Sequence, residues 1–148
     1  MSLQDRLSQE IKAAMLARDA DRLSALRMLK SALGYAQIAN KTESLPDAEV
    51  IALVQKEVKK RRDSMEQFEK GGRAELAAKE KQEITVLESF LPQPLPAEEL
   101  EKLVRATIQE LGATSKKDMG PVIKAVQAKA AGRADGKTVS TLVGKLLP

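Results

Sequence analysis

Three prolines within the five residues 92–96, PQPLP, most constrain how this chain folds. Proline lacks the amide N–H that a helix needs and clashes with the preceding turn, so no helix runs through such a stretch. On both sides of it, apolar residues recur at helical spacing. The prolines therefore divide the chain into residues 1–92 and residues 93–148, each long enough for a small core. Leu, Ala, Val and Ile dominate the 43% of residues that are hydrophobic, and only 2% are aromatic. With Lys, Glu and Gln also abundant, these are strong helix formers. The expected fold is all-α, a four-helix N-terminal unit followed by a compact three-helix C-terminal unit.

In the first unit, Leu3, Leu7, Ile11, Ala14 and Met15 mark a helix that Ser2 can cap. After RDAD, Leu23, Leu26, Leu29, Leu33 and Ala36 mark a second helix, ending near residues 39–41. Pro46 and Asp47 suit the first turn of a third, which carries Val50, Val54, Val58, Met65 and Phe68 until Gly71 and Gly72 stop it. A fourth covers 73–89, and Phe90, Leu91 and Pro92 are expected to pack the linker onto this unit. Beyond the prolines, Leu100, Leu103, Val104, Ile108 and Leu111 form one stripe before Gly112. Ser115 can cap a sixth helix reaching about residue 131, with Met119 and Val122 inside. Val139, Leu142, Val143 and Leu146 mark a seventh over 137–147.

Cysteine and histidine are absent, as is tryptophan. The usual zinc, iron–sulfur and haem sites then have no ligands, and no Ser–His or Cys–His nucleophile can be assembled. No metal, cofactor or catalytic residue is expected. No window approaches the roughly 18 uninterrupted apolar residues of a membrane span, and the polar start MSLQDRLSQE lacks a secretory core, so a cytoplasmic protein is expected.

The net charge of +4 is unevenly spread. Residues 1–91 carry 16 basic and 15 acidic side chains, whereas residues 111–148 carry seven basic and two acidic, a net of +5. An electropositive end of this kind suits a polyanion or an acidic partner. Its motif GRADGKT approaches a phosphate-binding loop, G-x-x-x-x-G-K-[ST], which needs a strand before it and a helix after it. Gly132 and Gly136 enclose only three residues, the first glycine position holds Ala131, and the preceding segment is helical. A helix-to-helix turn is the better reading, with Gly132 at positive φ, Asp135 capping the next helix, and Arg133 and Lys137 placed to meet an anion.

KKDMGPVIKAVQAKAAGRADGKTVSTLVGKLL, 116–147, resembles the C-terminal signature of the YqeY family and the related tail of the GatB subunit of glutamine-dependent tRNA amidotransferase. RLSALRML (22–29), QKEVKKRRDSMEQFEKGGR (55–73) and EITVLESFLP (83–92) are similar to the free-standing YqeY proteins. Pro121 departs from the pattern, where a polar or basic residue is expected. The resemblance implies a helical domain and a tail domain that in the amidotransferase contact the tRNA body. It also attaches a label, carbon–nitrogen ligase with glutamine as amido donor. That chemistry resides in a large domain of another fold, and the chain carries nothing expected to perform it alone.

The leading expectation is a tRNA-binding module without catalysis, for tRNA or another structured RNA. Lys116, Lys117, Lys124, Lys129, Arg133, Lys137 and Lys145 would neutralise phosphates and helix N-termini would add amide donors. The alternative is an adaptor that docks on an amidotransferase or aminoacyl-tRNA synthetase protein through the near-neutral first unit. There the run Lys59, Lys60, Arg61 and Arg62 reads as a solvated face balanced by Glu57, Asp63 and Glu66, and Tyr35 as a rim residue. A third reading, an enzyme acting through Arg27, Glu57, Arg61 and Glu80, rests only on charges at helical spacing, which ordinarily decorate helix surfaces.

Overall fold

Ser2 starts the first helix, α1 (Leu3–Ala17), with a reciprocal cap: its hydroxyl accepts from Asp5 N at 3.1 Å while Asp5 Oδ2 accepts from Ser2 N at 3.4 Å. A computed structural model describes all 148 residues. Arg18 ends α1 in the left-handed region (φ 55°), and Asp19 caps α2 (Ala20–Ala39) by accepting from Arg22 N at 3.2 Å. Pro46 precedes α3 (Asp47–Lys70), whose first turn holds Asp47 and Glu49 against the positive end of the helix dipole. Gly72, at φ 72°, turns the chain into α4 (Ala74–Glu88).

α5 (Ala97–Leu111) follows the prolines and ends on Gly112 at φ 63°. One turn of 3-10 helix (Lys116–Asp118) leads into α6 (Met119–Ala130), and α7 (Gly136–Leu146) closes the chain. Seven α-helices and no strands make the all-helical class plain. None of the helices is long and apolar enough to cross a membrane.

The chain separates into two compact units, Met1–Leu91 and Pro92–Pro148. In the first, Leu7 and Ile11 of α1 pack with Leu26, Leu29 and Leu33 of α2, Val50, Val54 and Val58 of α3, and Ile84 and Leu87 of α4. Truncating a fully buried leucine such as Leu26 or Leu87 to alanine costs about 2–5 kcal/mol in cores of this kind. Phe90 is buried in the same core beneath the Arg6 guanidinium, 4.6 Å from its ring centre. Arg6 Nη2 also donates to Ser89 O at 2.7 Å, clamping the end of α4 to α1. Phe90 and Leu91 thus pack as the sequence predicts, while Pro92 groups with the second unit.

The second core is built from Leu100 and Val104 of α5, Val122 and Val126 of α6, and Val139 and Val143 of α7, closed by Leu147. Three expected stripe members, Met15, Phe68 and Leu111, fall outside the cores. Met15 and Leu111 are exposed because each lies in the last turn of its helix, where the chain is already turning away at Arg18 and Gly112. In α5 the inward position is taken by Thr107, 0% exposed, whose hydroxyl donates to Leu103 O at 2.7 Å. That bond satisfies the buried polar group within its own helix.

Candidate functional site

On α6, Val122 and Val126 face the core, which turns Lys124 to solvent. On α7, Val139 and Val143 do the same, leaving Lys137, Thr141 and Lys145 exposed along the outer face. Lys137 and Lys145 are eight residues apart, so they lie about 12 Å from each other along the helix axis. Lys116 and Lys117 project from the 3-10 turn before α6. Lys116, Lys117, Lys124 and Lys145 are exposed and carry no ion pair.

The other two cations expected at this site serve the fold first. Lys129 Nζ pairs with the Glu110 carboxylate and lies 3.4 Å from Thr107 Oγ1, tying α6 to α5. Arg133 Nε donates to Gln93 O at 2.8 Å and Arg133 O accepts from Leu95 N at 2.8 Å, so this residue straps the segment 92–96 to the α6–α7 turn.

Asp135 caps α7 as predicted: Oδ1 accepts from Thr138 N at 2.8 Å and Oδ2 from Thr138 Oγ1 at 2.9 Å. Asp118 Oδ2 accepts from Thr114 N at 3.0 Å and Ser115 N at 3.4 Å. These carboxylates satisfy Thr138 N at the start of α7 and Thr114 N and Ser115 N before the 3-10 turn, so those three amides serve the fold. The turn itself needs two left-handed residues: Gly132 (φ 86°) was expected, and Ala131 (φ 49°) precedes it as the C-cap of α6. At Gly144 a Cβ would lie 3.4 Å from Met119 Cε, so glycine seats α7 closely against the start of α6. Residues 92–148 hold no aromatic side chain; Tyr35, Phe68 and Phe90 all precede them.

The run Lys59–Arg62 departs from the expected solvated face. Lys59 and Lys60 are exposed, but Arg61 is only 6% exposed. It pairs with Glu57 at 2.7 Å and Glu83 at 3.2 Å, and its Nη2 lies 3.6 Å from Met28 Sδ. Arg62 reaches Glu88 at 3.4 Å. Of the four residues in the enzyme reading, the structure gathers Glu57, Arg61 and Glu80 beside Glu83, while Arg27 stays exposed on α2 without bonding to them. The Glu80 carboxyl is pushed above its ordinary value by burial first and by the Glu83 charge next, against the opposing pull of Arg61 and Lys79. Its Oε2 is buried without a hydrogen-bond partner.

This arrangement staples α3 to α4. A surface cavity of about 860 Å³ lies between the start of α1 and the 40–46 loop, lined by Gln4, Asp5, Thr42, Glu43 and Glu49 among others. No three carboxylates in the chain converge as a metal-holding group. Sequence reasoning missed Glu83 as a buried partner because a Glu within a helix looks alike on either face. Its signal was present in the spacing from Ile84 and Leu87.

A family model described as Yqey-like protein matches residues 4–147. The chain belongs to the YqeY-like family. It is 32% identical over 133 residues to the altered inheritance of mitochondria protein 41, mitochondrial, of Kluyveromyces lactis, covering 90% of this chain and 69% of that one. An uncharacterized protein of Schizosaccharomyces pombe is 34% identical over 92 residues, 62% of this chain and 74% of its own. The protein 41 of Eremothecium gossypii is 32% identical over 111 residues, 73% of this chain and 60% of its own. The family match spans both units, so the basic outer surface of α6 and α7 and the Arg61 cluster both belong to the YqeY-like part of the chain.

Proposed function

We propose that this YqeY-like chain is an RNA-binding module without catalysis of its own, and that its second unit docks on the phosphate backbone of tRNA or a similarly folded RNA. One observation carries the reading: Lys116, Lys117, Lys124 and Lys145 stand exposed and unpaired on a unit that has no aromatic side chain. Cations of this kind bind phosphates and release counterions. A unit without aromatic side chains offers no stacking platform for unpaired bases, so recognition follows the shape of a folded RNA. In this reading a four-helix domain and a three-helix tail domain are separate functional parts, working in the cytoplasm. The family label of glutamine-dependent carbon–nitrogen ligase would reflect kinship with the amidotransferase tail, the chain assisting such an enzyme without performing its chemistry.

The test is fluorescence anisotropy of labelled tRNA titrated with the full chain at several salt concentrations. About four or five phosphate contacts predict a log–log slope on the order of −4. Binding that is absent at low salt, or indifferent to salt, sinks the reading.

A second reading, an adaptor for an amidotransferase or synthetase protein, draws support from Met15 and Leu16, two exposed apolar side chains at the end of α1. Copurification of such a protein that survives nuclease treatment would favour it.

A further inference from the structure

The nitrogens of the Arg61 guanidinium are not equally served. Nε donates to the Glu83 carboxylate at 3.2 Å and Nη1 to the Glu57 carboxylate at 2.7 Å. Nη2 donates instead to the thioether of Met28 on α2, 3.6 Å from Sδ. A thioether sulfur is a weak acceptor, and Arg61 is a charged group only 6% exposed, for which a strong acceptor is worth most. Met28 is itself 43% exposed and stands outside the apolar core, within reach of small reagents from solvent.

We propose that Met28 is a reversible oxidation site whose sulfoxide is received by Arg61. Hydrogen peroxide supplies the oxygen. The sulfur lone pair attacks one peroxide oxygen, the O–O bond breaks, and the departing hydroxide takes the proton of the transferred oxygen and leaves as water. Sulfur undergoes a two-electron oxidation, and peroxide is reduced by the same electrons. The product carries a strongly polar oxygen where a weak acceptor stood, and the rotatable bonds of methionine let it turn toward Nη2. Neither carboxylate loses a donor, because Glu57 and Glu83 are held by Nη1 and Nε. Oxidation therefore ties α2 more firmly to the α3–α4 hairpin. Methionine sulfoxide reductases return the thioether, which makes the change reversible.

The other methionines stand differently. Met65 packs against the first core and Met119 against the second, where an added oxygen disrupts apolar contacts. Met1 and Met15 stand in solvent.

The test uses the full chain carrying Met15→Leu, Met65→Leu and Met119→Leu, which conserve volume closely, so that only Met1 and Met28 can be oxidised. Hydrogen peroxide converts it, peptide mass mapping locates the oxygen, and urea unfolding compares the oxidised and reduced forms. The unfolding equilibrium constant should fall about fivefold on oxidation, the scale of one improved hydrogen bond to a charged group. A companion chain with Met28→Leu added should show no change, which accounts for Met1. In the same background, Arg61→Met with Glu83→Leu removes the guanidinium without stranding its buried partner, and the gain should disappear. Oxidation at Met28 that leaves the constant unchanged or raises it overturns the proposal. So does a gain that persists without Arg61, or a Met28 that stays reduced where peroxide has converted Met1.

Discussion

Arg61 Nε donates to the Glu83 carboxylate at 3.2 Å across the α3–α4 hairpin, and the two residues stand eleven positions on either side of Gly72. The hairpin turn thus sets the register that makes them neighbours. Arg61 Nη1 also donates to Glu57 at 2.7 Å, one helical turn back on α3. One buried cation therefore holds two carboxylates, and a third, Glu80, sits beside them with one oxygen unpartnered.

Removing the cation alone leaves Glu57 and Glu83 without compensation in a dry setting. Arg61→Ala should destabilise the first unit by about 3 kcal/mol, read from urea unfolding. The paired change Arg61→Met with Glu83→Leu should cost less than half of that, because no buried charge loses its partner. Equal losses for the single and double variants would show that side-chain volume, and not charge pairing, is what matters.

Glu80 binds its proton more tightly in the folded chain than in the unfolded one, where its value is near 4.5. By linkage, ionised Glu80 costs stability at neutral pH; the cost is relieved as pH falls through the raised folded value and is gone below the unfolded value. Glu80→Gln should therefore stabilise the chain at pH 7 by less than about 1 kcal/mol, the group being only partly buried. The gain should shrink to nothing on acidification, measured as unfolding free energy against pH. A difference that is constant across pH would remove the electrostatic explanation.

Lys124→Ala and Lys145→Ala should each weaken tRNA binding across all sequences and lower the salt slope by about 1. Lys129→Ala should have a smaller effect on the slope, since its charge is already paired with Glu110. Anisotropy titrations at three salt concentrations separate these outcomes.

Asp135→Ala removes both acceptor bonds to Thr138. Loss of an N-cap of this kind costs about 1 kcal/mol. Asp135→Asn, which keeps a side-chain oxygen at the cap, should recover most of it. Thermal unfolding of the two variants side by side provides the comparison.

Helix ends were legible because they are local. Ser2, Asp19 and Asp135 cap within three residues of themselves, Gly72 and Gly112 supply positive φ where a helix must stop, and the prolines at 92–96 forbid continuation. Inward faces were legible where the apolar period is unbroken, as at Val50, Val54 and Val58. The basic character of α6 and α7 was also legible, since Val122, Val126, Val139 and Val143 leave Lys124 and Lys145 only the outer surface. The uses of Lys129 and Arg133 were not, because Glu110 and Gln93 lie 19 and 40 residues away.

By itself, then, the sequence determined the all-helical class, the positions of seven helices and their family. These follow from hydrogen bonds and side-chain contacts that span three or four residues, and from motifs written in consecutive positions. Only the tertiary structure decided that Arg61 and Glu83 are buried together, that Thr107 faces inward, and that Leu111 does not. Periodicity names the side of a helix that faces inward. What meets that side, and which charges it neutralises, depends on residues far away in the chain.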